Sequence, residues 1–442
     1  MLIIHGLLAT FDDENTLLSD GAMRIVGDRI SDIGSTPELL ARYPDEERLD
    51  ARGMLVMPGL ICAHTHFYGA FARGLPARGE PPANFPEILE RLWWRLDRTL
   101  RPEDIRASVE VCLIDAIRHG TTTLIDHHAS PKFIEGSLDW IAETVLAAGV
   151  RACLCYEVSD RDGPEAARAG IQENARFIRR CQHNPHPRLA GMMGLHASLT
   201  LSNETLEKAV GLARELGIGC HIHVAESKAD VADSLKKYGL RVVERLHKAG
   251  VLNPQAILAH VVHVDDYELD TLRSMGVAVV HNPRSNMHNA VGTARVPRMM
   301  RDRILVGLGN DGFSNNMFTE MHVAYLVHKM ANEDPRVMPA HLVTQMAFAN
   351  NRRIVAGFFP APVGILAPGA MADIIMVDYR PPTPLTAANL PWHVVLGVDG
   401  TSVQTTICAG EVLMRDGQLL TLDEEAITAR SRELARKLWA RF

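Results

Sequence analysis

The sequence has 442 residues, a formal net charge of −7 at pH 7, 47% hydrophobic residues and 22% charged residues. This composition is that of a globular protein, and the negative charge argues against nucleic-acid binding, which requires basic patches. No run approaches the roughly 18 consecutive apolar residues of a membrane-spanning helix, so we expect no contact with a membrane. The length exceeds the roughly 100–200 residues of one ordinary domain, which favours two domains.

Residues 1–8 are mostly apolar and contain no lysine or arginine, and Asp12 follows soon after them. We interpret this run as a first strand and not as a signal peptide. The seven cysteines are scattered along the chain, and no Cys-x-x-Cys motif occurs. Scattered cysteines in a long chain fit a reducing compartment. We therefore expect a cytoplasmic protein.

The two ends of the chain have a similar pattern. Residues 1–56 contain short apolar runs separated by turn residues such as Asp20-Gly21 and Gly27-Asp28, which is typical of a small β-domain. Near the other end, strands are predicted at residues 374–377, 403–407 and 412–414. Because neither end has enough strands for a stable sheet alone, we predict that residues 1–56 and 362–442 form one composite β-sandwich domain.

The central segment, residues 57–361, alternates apolar strands with amphipathic helices. One helix is predicted between Arg101 and Gly120, with Pro102 at its start, from the helical spacing of its apolar residues. Buried strands alternating with helices indicate a parallel sheet, and eight such units predict an α/β fold with a (β/α)8 TIM barrel. The eight strands are predicted at residues 60–63, 122–125, 152–156, 190–195, 219–224, 256–259, 277–280 and 304–308.

Six of the predicted strands end in polar residues, and the active sites of such barrels lie at the C-terminal strand ends. Side chains two residues apart on a strand point the same way, so a His-x-His pair can bind one ion. The polar residues are His64 and His66, His196, the segment from His221 through His223 to Glu226, His260, the run His281-Asn282-Pro283-Arg284-Ser285-Asn286, and Asn310-Asp311.

Five motifs at these strand ends belong together. They are Pro-Gly-Leu-Ile-Cys-Ala-His-Thr-His at 58–66, His-Ile-His-Val-Ala-Glu at 221–226, His260, the run at 281–286 and Gly-Asn-Asp-Gly at 309–312. Together they resemble the amidohydrolase superfamily, and within it the aminohydrolases and chlorohydrolases of purines, pyrimidines, triazines and S-adenosylhomocysteine. The resemblance covers essentially the whole chain. It implies a metal-bearing barrel with a composite β-sandwich, and it leaves the substrate open.

The resemblance implies that His64, His66, His223 and Asp311 bind a metal. Nitrogen and carboxylate ligands without a thiolate suit Zn²⁺, with Fe²⁺ or Mn²⁺ as alternatives. Relatives with two metals usually carry a bridging lysine at the end of the fourth strand, where this chain has residues 193–197 and no lysine. We therefore expect one divalent ion, which lowers the pKa of bound water so that hydroxide is available near neutral pH.

The resemblance also implies catalytic roles for Glu226, His260 and Asp311. Glu226 is expected to carry a proton from the water to the leaving nitrogen. His260 is expected to stabilise charge as it develops on the substrate. Asp311 follows a buried apolar strand, where a metal would compensate the cost of burying its charge.

We further expect four side chains to contact the substrate: His196, Phe67, Tyr68 and Arg284. These groups can bind ring nitrogens and carbonyls and pack on a ring face. No glycine-rich phosphate loop or lysine cluster occurs near the strand ends, which argues against a phosphorylated nucleotide. The sequence leaves the roles of four other histidines open, namely His127, His128, His221 and His281.

The sequence thus predicts a metal-dependent hydrolase that cleaves a C–N bond of a small purine- or pyrimidine-related heterocycle. Deamination is the leading reaction, because most of the branch deaminates. The alternatives are ring opening of a cyclic amide or ureide, dechlorination, and a non-catalytic relative that only binds ligands. We expect a homo-oligomer whose partner is a small heterocyclic molecule.

Overall fold

The structure is a computed structural model that describes residues 1–76 and 79–442. No helix in these two ranges is both long and apolar enough to cross a bilayer. In chain order, the strands are β1 (Leu2–Ala9), β2 (Leu17–Val26), β3 (Arg29–Ser35), β4 (Arg48–Asp50), β5 (Leu55–Pro58), β6 (Leu60–Thr65), β7 (Thr121–His128), β8 (Arg151–Tyr156), β9 (Leu189–Gly191), β10 (Met193–Ala197), β11 (Cys220–Val224), β12 (Ile257–His260), β13 (Ala278–His281), β14 (Leu305–Leu308), β15 (Ile374–Val377), β16 (Val403–Cys408), β17 (Glu411–Arg415) and β18 (Gln418–Leu419).

Helices follow most of the central strands. Short 3₁₀ or π-helical turns occur at Phe67–Ala72, Leu89–Trp93, Ser198–Thr200, Met346–Asn350 and Gly400–Ser402. The α-helices are α1 (Thr36–Arg42), α2 (Phe85–Ile88), α3 (Trp94–Thr99), α4 (Pro102–Arg118), α5 (Ser137–Ala148), α6 (Pro164–His183), α7 (Asn203–Glu215), α8 (Lys228–Tyr238), α9 (Val242–Lys248), α10 (Asp266–Met275), α11 (Pro283–His288), α12 (Val296–Arg301), α13 (Met317–Asn332), α14 (Ala340–Gln345), α15 (Asn351–Ile354), α16 (Leu390–Gly397) and α17 (Glu424–Arg441).

Strands from both chain ends lie in one nine-stranded sheet. Its order is β18-β17-β16-β15-β5-β1-β2-β3, and β4 pairs with β1. The two ends meet where β5 pairs antiparallel with β15, with Pro58 opposite Ile374 and Leu55 opposite Val377. The described strands of these segments form this single sheet, so the two facing layers of a sandwich remain a prediction, as do the domain limits.

The central strands form two parallel sheets, β6-β7-β8-β9 and β10-β11-β12-β13-β14. The predicted fourth strand is interrupted at Met192, which separates β9 from β10. Val158, just after β8, forms a parallel bridge with Leu195 in β10. At the other edges, the carbonyl oxygen of His64 accepts hydrogen bonds of 3.0 Å from the backbone N–H groups of Asn310 and Asp311. These bonds join the two sheets at their C-terminal ends.

Several residues at these strand ends have left-handed backbone conformations. The φ angles are 46° at Ala225, 71° at His260, 50° at Val261 and 58° at Asp311. Residues with a side chain rarely adopt such angles, and they are concentrated at functional sites where the surroundings hold them. The chain therefore turns sharply where β11, β12 and β14 end, directly beside the predicted site residues.

A buried ion pair ties the central strands to the terminal sheet. Arg151 begins β8 and donates from Nε and Nη2 to the carboxylate of Asp373, at 3.1 and 2.9 Å. Their side chains are 0% and 1% exposed. We expect Asp373→Ala to lower the free energy of unfolding by about 3–5 kcal/mol, because it leaves a buried guanidinium unpaired. Chemical denaturation measures this loss.

A matched control is Glu433→Ala, which breaks the exposed pair between Glu433 and Lys437 on α17. Exposed pairs contribute less than about 1 kcal/mol, so this variant should unfold almost as the unmodified protein does. An equal, small loss in both variants would contradict the proposed role of the Arg151–Asp373 pair.

Candidate active site

The structure brings the four predicted metal ligands together at the C-terminal ends of β6, β11 and β14. The Oδ1 atom of Asp311 lies 3.4 Å from Nε2 of His64 and 3.0 Å from Nε2 of His66. The Nε2 atoms of His66 and His223 are 3.2 Å apart. Three imidazole nitrogens and one carboxylate oxygen thus converge on one point.

The donor set of this cluster fits a divalent cation. The Nε2 atom of His64 is buried and has no hydrogen-bond partner, which is costly unless another group compensates it. The facing Nε2 atoms of His66 and His223 also need a proton or cation between them, because two lone pairs repel. Three histidines and a carboxylate without a thiolate suit Zn²⁺ in particular.

The other ring nitrogens of the three histidines are held by neighbouring groups. Nδ1 of His66 donates to the carbonyl oxygen of His127 at 2.5 Å, and Nδ1 of His223 donates to that of His196 at 2.8 Å. Nδ1 of His64 lies 2.9 Å from Nε2 of His221. Such outer contacts fix the ring orientation of a metal ligand. His221, whose role the sequence left open, therefore contacts a predicted ligand.

The protonation of the cluster is governed by burial and by Asp311. Burial lowers the pKa of His64 to about 3 and holds the pKa of His223 well below its ordinary value. Burial also opposes the charged form of His66, but the hydrogen bond and charge of Asp311 raise its pKa to about 9. Metals bind the neutral ring, so a metal bound at His66 would displace its proton.

Glu226 and His260 lie beside the cluster. Oε2 of Glu226 is 3.5 Å from Nε2 of His260, and its Oε1 accepts a hydrogen bond of 3.2 Å from Nδ2 of Asn289. Burial and the nearby charge of Asp311 raise the pKa of Glu226 well above its ordinary value. A carboxyl group with a raised pKa can hold and release a proton near neutral pH.

His66, His223, Asp311, Glu226 and His260 line one cavity that opens to solvent, whereas His64 is fully buried and lies outside the lining. The cavity thus joins three of the four predicted metal ligands to the predicted proton shuttle. An apolar wall faces them, formed by Tyr68, Phe85, Leu89, Trp93 and Trp94. The remaining lining residues are Glu157, His196, Ala197, Leu199, Asp230, Asn289 and Gly312.

The four predicted substrate contacts divide into two pairs. Tyr68 and His196 line the cavity, whereas Phe67 and Arg284 lie outside its lining. The Phe67 side chain is fully buried in the core. Arg284 donates from Nε to Oε1 of Glu320 at 2.5 Å and from Nη2 to the carbonyl oxygen of Ser314. The guanidinium of Arg284 is therefore engaged elsewhere.

Two histidines whose roles the sequence left open also lie outside the cavity lining. Nε2 of His128 lies 2.8 Å from the hydroxyl of Ser130. Nε2 of His281 lies 3.1 Å from Nε2 of His328, and both rings are buried. Both contacts are buried, and neither involves a predicted metal ligand.

Glu157 is one of the cavity-lining residues that sequence reasoning missed. It follows β8 directly, lines the cavity and is 5% exposed. Its Oε2 accepts from Nδ1 of His127 at 3.2 Å, and its Oε1 is 3.5 Å from Nε2 of His196. Although burial opposes ionisation, these two histidines hold the pKa of Glu157 below its ordinary value. Its place at a strand's C-terminal end was the available signal.

Glu157 also belongs to a second group of side chains that can approach one ion, with His66, His127 and His223. A neutral imidazole nitrogen has one lone pair, so His66 and His223 cannot serve two ions through Nε2. The ring of His127 is already engaged on both sides, by Glu157 and by the carbonyl oxygen of His221 at 3.2 Å. The two groups therefore cannot both be occupied.

Comparison with known proteins confirms the resemblance. The amidohydrolase family model matches residues 55–413. The 5'-deoxyadenosine deaminase of Methanosarcina mazei is 33% identical over 446 residues, covering 100% of this chain and 99% of the relative. The 5-methylthioadenosine/S-adenosylhomocysteine deaminase of Pelotomaculum thermopropionicum is also 33% identical, covering 99% and 98%. The structure of an adenosine deaminase from Xanthomonas campestris with bound zinc superposes with a TM-score of 0.89 at 23% identity, covering 99% and 98%. The chain belongs to the amidohydrolase family.

Proposed function

We propose that this protein is a metal-dependent aminohydrolase that removes an amino group from a small purine- or pyrimidine-related heterocycle. The observation that carries the proposal is that His66, His223 and Asp311 line the same cavity as the buried carboxyl of Glu226. Two full-length relatives are named as deaminases of adenosine derivatives, which supports deamination over the alternative reactions.

In this proposal His64, His66, His223 and Asp311 hold one divalent cation, for which we propose Zn²⁺. The zinc present in the Xanthomonas campestris structure supports this choice. When bound, such a cation lowers the pKa of water and so supplies a nucleophile at neutral pH. The carbonyl oxygens of His127 and His196 keep two of the ligand rings in place.

The side chains around the cluster then perform the proton transfers. Glu226 accepts a proton and delivers it to the leaving nitrogen, a step for which its raised pKa is suited. Asn286 holds Nδ1 of His260 at 2.8 Å, so the opposite nitrogen faces Glu226 and the site of developing charge. The apolar wall packs on the ring of the substrate and excludes water from it.

The same proposal extends to the architecture. We propose that residues 57–361 form a closed (β/α)8 barrel and that residues 1–56 and 362–442 form a composite β-sandwich. The bonds between the ends of β6 and β14 support closure, and the pairing of β5 with β15 supports a composite domain. We further propose a homo-oligomer in the cytoplasm, where the seven free cysteines would remain reduced.

The function is tested by ammonia release from a panel of aminated purines, pyrimidines and adenine nucleosides, including 5'-deoxyadenosine. We expect at least one amino heterocycle to release ammonia, because Glu226 lies where it can protonate a leaving nitrogen. Mass spectrometry of the product should show exchange of an amine for oxygen. Addition of a whole water to a cyclic amide would instead indicate ring opening. Cleavage of linear amides alone would contradict the proposal.

A further inference from the structure

Glu157 lies close to the reacting centre, yet the proposed mechanism does not use it. A carboxylate oxygen of Glu157 and one ring nitrogen each of His66 and His223 lie within 4.8 Å of one another. The carboxylate also lines the cavity. Any ring positioned for attack at the predicted metal therefore lies beside Glu157.

Contacts within the protein use only part of the hydrogen-bonding capacity of the Glu157 carboxylate. Nδ1 of His127 lies 3.2 Å from Oε2, and Nε2 of His196 lies 3.5 Å from Oε1. An ionised carboxylate accepts about four hydrogen bonds and donates none. Glu157 can therefore accept hydrogen bonds from a ligand in the cavity, but it cannot donate one.

The charge of the cavity lining points to the same kind of ligand. Four carboxylates line it, and no lysine or arginine occurs among the lining residues that the structure describes. Asp311 and Glu226 have proposed roles, and Asp230 accepts from the backbone N–H of Ser227 at 3.1 Å. Glu157 is the lining carboxylate without a proposed role, and its hydrogen bond with His127 occupies only one of its two oxygens. Binding of an anionic substrate, or of a substrate that presents only lone pairs to Glu157, is therefore electrostatically unfavourable.

We propose that Glu157 accepts a hydrogen bond from a ring N–H or amino group of the heterocycle, in addition to the amine that departs. The inference rests on the proposed function and narrows its substrate class. Guanine carries such a donor at N1, beside the carbon that bears its amine, and this N1–H, which 1-methylguanine lacks, is the donor that we assign to Glu157. The adenine ring of a nucleoside carries only acceptor nitrogens besides its departing amine, so Glu157 selects against it. Sugar hydroxyls lie too far from the reacting carbon to replace the ring donor.

The test compares Glu157→Gln with the unmodified protein on guanine, 1-methylguanine and 5'-deoxyadenosine, each at measured metal content. For the unmodified protein we expect tighter calorimetric binding and higher kcat/KM with guanine than with the other two. Glu157→Gln should lower kcat/KM for guanine by about 10-fold, because the neutral amide oxygen accepts a weaker hydrogen bond than the carboxylate does. Its metal content and its constants for the methylated ring should change little, so the preference ratio falls.

A matched control is Glu173→Gln, because Glu173 is also buried but lies outside the cavity, where it accepts from the backbone N–H groups of Gly136 and Leu138. This variant should lose stability and keep the substrate preference. A Glu157→Gln variant that loses metal, or that slows all three substrates equally, would show that Glu157 only positions its neighbours and would overturn the inference.

The two proposals fail in different ways. Ammonia release from 5'-deoxyadenosine, with guanine bound no better than 1-methylguanine, would overturn the role of Glu157 and leave the deaminase proposal intact. Preferential binding of guanine without ammonia release from any amino heterocycle would support the role of Glu157 and contradict deamination.

Discussion

Glu226→Gln is expected to lower kcat by roughly 10²–10⁴-fold, the usual contribution of a positioned acid–base group, while metal content stays unchanged. The amide keeps the shape of the side chain and can retain the contact with Asn289, but it cannot carry a proton. Steady-state kinetics together with elemental analysis measure both quantities.

Two outcomes would contradict this role. Turnover close to that of the unmodified protein would remove Glu226 from the mechanism. Loss of the metal would show instead that the side chain maintains the structure of the site. Glu173→Gln again serves as the control for a glutamine placed at a buried glutamate outside the cavity.

His66→Ala is expected to abolish metal binding and activity together. The unmodified protein should hold about one equivalent of metal per chain, because His66 and His223 can each serve one ion through Nε2. Deleting one of few ligands removes both binding energy and geometry. Elemental analysis after purification without added metal, followed by an activity assay with metal restored, provides the measurement.

The control for this variant is His183→Ala, which removes an exposed histidine at the end of α6. It should keep the metal and the activity. Full metal content in His66→Ala would contradict the assigned ligand set, and two tightly held equivalents in the unmodified protein would contradict the single site.

The convergence of the metal ligands was predictable because position along a parallel strand determines position in space. His64, His223 and Asp311 each stand at the C-terminal end of an apolar run, and those ends share one edge. Arg284 also follows such a run, but its partner Glu320 lies on α13. Single-strand patterns carry no information about a partner from a distant helix, so this contact could not be foreseen.

Other features depend on packing that periodicity does not encode. Trp93 and Trp94 both line the cavity, although nothing in their local sequence distinguishes a cavity wall from the protein core. Their apolar character is compatible with either place, and only the packing of residues 85–99 against the strand ends decides it. The sequence signal for Glu157 was weak, because a single carboxylate after a strand is common. Its place in the site becomes apparent only from its contacts with His127 and His196 on neighbouring strands.

The pairing of β5 with β15 has a consequence for how the chain reaches its folded state. Strand β5 lies between β1 and β15 in the terminal sheet, so the ribosome must complete almost the entire protein before β5 gains its second neighbour. Until then, its free edge can pair with another chain. The central segment contains its own strand neighbours and can fold earlier, as segments synthesised first generally do. A nascent chain interrupted before residue 374 would therefore be prone to aggregation, and the terminal sheet would form last.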